Sequence, residues 1–181
     1  MDTLLSQLRE ATAASHATLD AAFGSLDLSD RDDYIRFLRG HAMGLAPLFD
    51  DFRSFVEGDL GLPCPDYPRM LAADLHALGE GPGGLSVPAA AQTTPSATGY
   101  VIAGSRLGLA MIRKRGYWGH ANALPSAYME DEQGIAIWRE AAARLKGLPA
   151  DATGREARAA VAAFDTFRAA FAASAPTAPV R

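Results

Sequence analysis

The stretch SDRDDYIRFLRGHAMGLAPLFDDFRSF, residues 29–55, decides the fold class. Its apolar and aromatic residues Tyr34, Phe37, His41, Leu45, Leu48, Phe52 and Phe55 advance in alternating steps of three and four, the spacing of one face of an α-helix. Ser29 stands where its hydroxyl can cap the first turn, and Asp30, Asp32 and Asp33 sit favourably against the positive end of the helix dipole. Pro47 has no N–H to give and is expected to kink this seam.

Helical spacing continues in both directions, and no stretch alternates with the period of two that marks a half-buried strand. Upstream, Leu4, Leu8, Ala11, Ser15, Leu19 and Ala22 form one stripe of a first helix expected over residues 2–23 and ended by Gly24. Downstream, after a loop from Gly58 to Pro65, Asp66 is expected to cap a short helix with Leu71, Leu75 and Leu78 inside. A breaker-rich loop follows over Gly79 to Pro88. Thr94-Pro95 opens the fourth helix, because proline in the first turn loses no intrahelical hydrogen bond, and that helix should run to about Arg115. Residues 116–126 read as a long connection with room for a helical turn. Ile135, Trp138, Ala142 and Leu145 then mark a helix closed near Gly147. Thr153 and Glu156 have capping-box spacing ahead of a last helix carrying Val161, Phe164, Phe167 and Phe171. The expectation is an all-α, single-domain bundle over residues 1–173, with a flexible tail over 174–181.

Composition narrows the function classes. A chain of 181 residues, 49% apolar and 21% charged, is expected to bury one core. The net charge of −4 and the scattered lysines and arginines argue against nucleic acid as a partner. No apolar run approaches the roughly 18 residues that cross a bilayer, and the first residues lack a basic segment followed by an apolar one, so a cytoplasmic, non-membrane protein is expected. Cys64, the single cysteine, rules out an internal disulfide or a cysteine-rich metal site.

Four histidines are the first candidates for chemistry. His16 lies mid-helix beside the apolar stripe, with Asp20 one turn on, Thr12 one turn back and Arg9 two turns back. Such a histidine is either a surface residue with a carboxylate neighbour or a metal ligand whose second ring nitrogen Asp20 orients. His41, inside the aromatic seam, reads as a satisfied core histidine, and His76 and His120 as surface residues. No histidine has the local spacing of a zinc or di-iron motif.

The fourth helix is unusual in another way. Gly99, Gly104 and Gly108 interrupt it, each at a cost of about 1 kcal/mol relative to alanine. Gly104 and Gly108 share a face with Ala97 and Val101, a smooth strip against which another helix or a flat ligand could lie. Arg106, Arg113, Lys114 and Arg115 are either solvated charge or a site for ligand carboxylates.

Two segments resemble the haem oxygenase family, in particular its bacterial, biliverdin-producing branch, which includes members associated with bacteriophytochromes. Leu8-Arg9-x-x-Thr12-x-x-x-His16-x-x-Leu19-Asp20 is similar to the family's first-helix signature, and residues Gly99 to Gly108, GYVIAGSRLG, resemble its distal-helix motif. With Tyr34, Phe37-Leu38, Asp74-Leu75, Trp138 and Ala163-Phe164 at family core positions, the resemblance covers about residues 4–172. It implies haem as both cofactor and substrate, with iron ligated by His16, and Asp20 and Thr12 beside that ligand. It implies that Gly104, Ser105 and Gly108 form the catalytic distal wall and that Arg9, with Arg113 and Arg139 more remotely, meets the haem propionates. The implied reaction is oxygen- and reductant-dependent cleavage of haem to biliverdin, carbon monoxide and ferrous iron. Electrons would come from a ferredoxin or a reductase, and a phytochrome is a further implied partner as product acceptor. Leu109 stands where many relatives have a second glycine, and Ala103 where bacterial relatives often have glutamate. A non-catalytic haem or bilin binding protein on the same scaffold is the alternative reading. A thiamin-degrading enzyme or a purely structural bundle would also fit such a scaffold.

Overall fold

The computed structural model describes residues 2–80 and 92–175. Most of the expected breaker-rich loop and the tail from Pro176 onward lie outside the described residues. Among the described residues the chain is all α-helical, with one isolated β-bridge between Thr3 and Pro149 and no strand.

Helix α1 spans Leu4–Gly24 and starts later than residue 2, because Thr3 and Ser6 form a reciprocal capping box that ends the extended segment there. Helix α2 spans Arg31–Leu45, and its cap is Asp30 rather than Ser29. The Asp30 carboxylate accepts from the backbone N–H groups of both Asp32 and Asp33, whereas the Ser29 hydroxyl donates to Asp27. Pro47 does more than kink the seam. The helix ends at Leu45, turns, and resumes as α3, Phe49–Arg53, which continues into a π-helical turn over Ser54–Asp59. The seam itself runs through this break, and all seven of its residues are buried.

Helix α4, Tyr67–Ala77, is capped by Asp66, and α5, Pro95–Arg115, by Thr94, both as the sequence leads one to expect. The connection after α5 holds the short α6, Trp118–Ala121. A second short helix, α7, Ala127–Glu130, was not foreseen. Its cap is remote in sequence: the buried Asp74 carboxylate accepts from the backbone N–H groups of Ala127 and Tyr128 at 2.8 and 2.9 Å. Helix α8, Gln133–Lys146, buries Leu145 as expected, but over its first turns Gly134, Ile137 and Ala141 face inward, one position off the expected Ile135, Trp138 and Ala142, which are half-buried.

Helix α9, Arg155–Ala173, is the hub, packing on α1, α2 and α5. The capping box expected of Thr153 and Glu156 does not form. Asp151 takes the Glu156 N–H instead, and the Glu156 carboxylate accepts from Thr94 at 2.6 Å, tying the start of α9 to the start of α5. Alanines 159, 160, 163 and 170 on the buried face of α9 let its neighbours approach closely. No helix among the described residues is long and apolar enough to cross a membrane.

Candidate functional site

Helix α1 changes surroundings halfway along. Leu4, Leu5, Leu8 and Thr12 are buried, but Ala11 is exposed and residues 13–24 are at most half-buried, because one side of α1 there borders open space while Phe23 still packs on Phe37 and Phe171. The expected stripe continues through Ser15, Leu19 and Ala22 as half-buried residues. Beyond Thr12, His16, Leu19, Asp20 and Phe23 line a cleft of about 440 Å³ whose opposite wall is α5. That volume is in the range of small-molecule and cofactor sites. The surfaces are mainly apolar and aromatic, with Trp138 from α8 and Phe164 and Phe167 from α9 completing them.

The structure brings most of the sequence-derived candidates to this cleft. Arg9, His16 and Asp20 line it from α1, and Gly104, Ser105 and Gly108 from α5. His16 Nδ1 lies 2.9 Å from Asp20 Oδ2, and the His16 ring stands edge-on to Phe164 at 5.6 Å. The other ring nitrogen, Nε2, has no partner among the described residues. The Ser105 hydroxyl turns back to donate to the Ile102 carbonyl at 2.7 Å.

The three glycines of α5 differ in role. A Cβ on Gly99 would come within 2.1 Å of the Phe55 ring, one on Gly104 within 3.3 Å of Trp138, and one on Gly108 would meet nothing within 4 Å. Gly99 serves close helix packing, and Gly108 leaves bare backbone facing the cleft.

Other candidates lie elsewhere. Thr12 is buried behind the cleft wall. Its hydroxyl donates to the Leu8 carbonyl, so the 3.2 Å contact with Tyr100 is made by the tyrosine hydroxyl donating to Thr12. Arg113 does not line the cleft and reaches the Glu130 carbonyl, and Arg139 is an exposed residue away from it.

Arg106 answers neither expectation held for it. It is buried, pairs with the buried Asp131 carboxylate at 3.3 Å, donates to the Tyr128 carbonyl and lies over both the Tyr67 and Tyr128 rings. A charge so placed needs its partner, because burying an unpaired guanidinium is strongly unfavourable. The sequence offered no local sign of this pair, whose members are on α5 and in the turn after α7.

His41 is, as expected, a core histidine held by the Phe37 carbonyl, yet its ring also lines the cleft. Burial, aided by the nearby Arg106 charge, drives its pKa down to about 4. Tyr100 and Phe23 were missed as cleft residues. Tyr100 is one turn before Gly104 and Phe23 two turns after His16, so their faces were legible. His76 and His120 are exposed, in keeping with surface roles. Burial pushes the Cys64 thiol up to about 11, which makes it a poor nucleophile. Among the described residues no three His, Cys, Asp or Glu side chains converge in a way that could hold a metal ion.

Compared with models of known protein families, the chain matches none, and it matches no curated protein.

Proposed function

We propose that the cleft binds haem with His16 as its iron ligand, and that the protein degrades haem to biliverdin, carbon monoxide and ferrous iron with electrons from a separate ferredoxin or reductase. One observation carries this reading: two motifs far apart in the chain, His16 with Asp20 and Gly104 with Ser105 and Gly108, line the same cleft. The residues present fit the group. His16 offers an unpartnered nitrogen, Gly108 leaves space for a flat ligand at the helix backbone, and the remaining walls are largely apolar.

Haem, when bound, supplies the iron that reacts with dioxygen and the macrocycle that is cleaved. The protein's part is orientation and exclusion. Asp20 holds the proton on His16 Nδ1, which keeps the lone pair on Nε2 free for iron. Phe164 limits the tilt of the imidazole. Gly104 and Gly108 would let a flat ligand approach the α5 backbone, while Trp138, Phe164 and Phe167 would shield it from bulk water. Arg9 meets the carboxylates, and it carries this role without Arg113 or Arg139, which lie off the cleft. A cytoplasmic location and a phytochrome as product acceptor belong to the same proposal.

A second reading, a haem or bilin carrier without turnover, is favoured by Leu109, which is buried in the cleft wall and fills space beside Gly108. Optical titration with hemin, followed by ascorbate or a ferredoxin reductase system under air, separates the two. A Soret complex that decays as a biliverdin band grows, and whose ligand signature is lost in His16→Ala, is expected of the enzyme. Stable binding without decay would leave the carrier. An unchanged axial-ligand spectrum in His16→Ala would sink the assignment of His16 as iron ligand and with it the enzyme reading.

A further inference from the structure

Arg9, His16 and Phe23 are spaced by seven residues on α1, two turns and about 10 Å apart at each step, and all three line the cleft. Arg9 is exposed, whereas the Phe23 ring lies 4.7 Å from His41, which is 7% exposed. The cleft thus has an open, cationic end and a closed, aromatic end, with His16 between them. A flat tetrapyrrole centred on His16 with its carboxylates at Arg9 turns its opposite edge toward Phe23 and His41.

The His41 ring is fixed by Phe37 at 4.3 Å, Tyr128 at 5.6 Å and Phe167 at 6.2 Å. Its Nδ1 is 2.9 Å from the Phe37 carbonyl, which can only accept, so Nδ1 carries the proton and Nε2 carries a lone pair. Nε2 has no partner among the described residues. It is also not one of the sealed, unpartnered side-chain atoms, which are Tyr34 Oη, Arg36 Nε, Thr98 Oγ1 and Arg106 Nη1. Its access is by way of the cleft that the ring lines. Because the ring stays neutral well below pH 6, Nε2 is an acceptor under ordinary conditions.

We propose that His41 is a specificity-determining residue: it sets one hydrogen-bond acceptor at the closed end of the cleft, which therefore prefers tetrapyrroles that bring a hydroxyl or similar donor to the edge opposite their carboxylates. The inference rests on the haem reading above. An apolar edge pressed against Nε2 strips the acceptor of water and returns nothing, a loss of roughly ten-fold in affinity.

The test uses three iron porphyrins that differ only at two substituents on the pyrroles opposite the carboxylates: mesohaem with ethyl, protohaem with vinyl and haematohaem with 1-hydroxyethyl groups. Soret titrations of the wild-type protein are expected to give haematohaem about ten-fold tighter binding than mesohaem. His41→Phe should abolish that preference, chiefly by tightening mesohaem up to about ten-fold as the stripped acceptor is removed, whereas His41→Gln, which restores an acceptor, should keep part of the preference. Equal affinities for the three in the wild type would overturn the inference, as would an equal loss for all three in His41→Phe, which marks a merely structural role. If such binding still depends on His16, only this inference falls. If none of the three gives a His16-dependent complex, the haem reading falls and takes the inference with it.

Discussion

Gly99 and Gly108 sit on the same helix, nine residues apart, in opposite surroundings. Gly99 is buried where α5 crosses α3 and the π-helical turn, and Phe55 occupies the place a side chain would take. Gly108 faces open space in the cleft wall. Both weaken the helix equally by propensity, yet only the first is explained by packing inside the protein. Packing gives no reason for Gly108; under the proposed function its bare backbone is where the ligand would lie, and the contrast divides α5 into a packed half and a half that lines the cleft. Helix α1 repeats the pattern, with a buried first half and a second half that lines the cleft.

The contrast is broken most severely at Gly99. Gly99→Val is expected to destabilise the protein by about 3 kcal/mol in urea denaturation, since the branched side chain must displace the fully packed Phe55 ring. A loss below about 1 kcal/mol would mean that the two helices separate easily, and the division of α5 would fail.

The buried seam behind the cleft has its own signature. His41 stays neutral in the folded protein down to about pH 4, whereas in the unfolded chain it takes up a proton near 6.5. Lowering the pH through that window stabilises only the unfolded state, so folding stability should fall by up to about 3 kcal/mol between pH 6.5 and 4. This part of the pH dependence should vanish in His41→Phe, as followed by urea denaturation at a series of pH values. An identical slope in the variant would show that other groups are responsible.

On the cleft side, Asp20→Asn is expected to weaken haem binding about ten-fold by loosening the orientation of His16, measured by Soret titration. Because both side chains are more than half exposed, the same substitution should change stability by less than about 0.5 kcal/mol. The smallest effect is the most telling in sign. Gly108→Ala should stabilise the ligand-free protein by up to about 1 kcal/mol, since helix propensity improves and no clash opposes it. The added methyl group should at the same time reduce haem affinity. Destabilisation by Gly108→Ala would place this glycine in the same category as Gly99.

Local chemistry made much of this legible. Thr94 before Pro95 and Asp66 before Tyr67 are caps because their side-chain oxygens lie one turn from orphan N–H groups, a relation confined to four residues. His16 and Asp20, or Gly104 and Gly108, share a face for the same local reason. The errors fall where distant groups compete. Asp151 displaced the expected Thr153 and Glu156 box by offering a better-placed carboxylate, and Glu156 was then drawn to Thr94 on another helix. Helix α8 faces inward at Gly134, Ile137 and Ala141 rather than one position later, and the Arg106 side chain, distant in sequence, fills the place of a Gly134 Cβ.

The order of helices, their caps and the faces that carry His16, Asp20, Gly104 and Gly108 were therefore determined by the sequence itself, through hydrogen bonds and periodicity that act over one or two turns. Which glycine packs and which is left bare, that Arg106 is buried against Asp131, and that His41 reaches the cleft were decided only by the tertiary structure. Those outcomes depend on the distances between helices, which are set by how the side chains of α5, α8 and α9 fill the space between them.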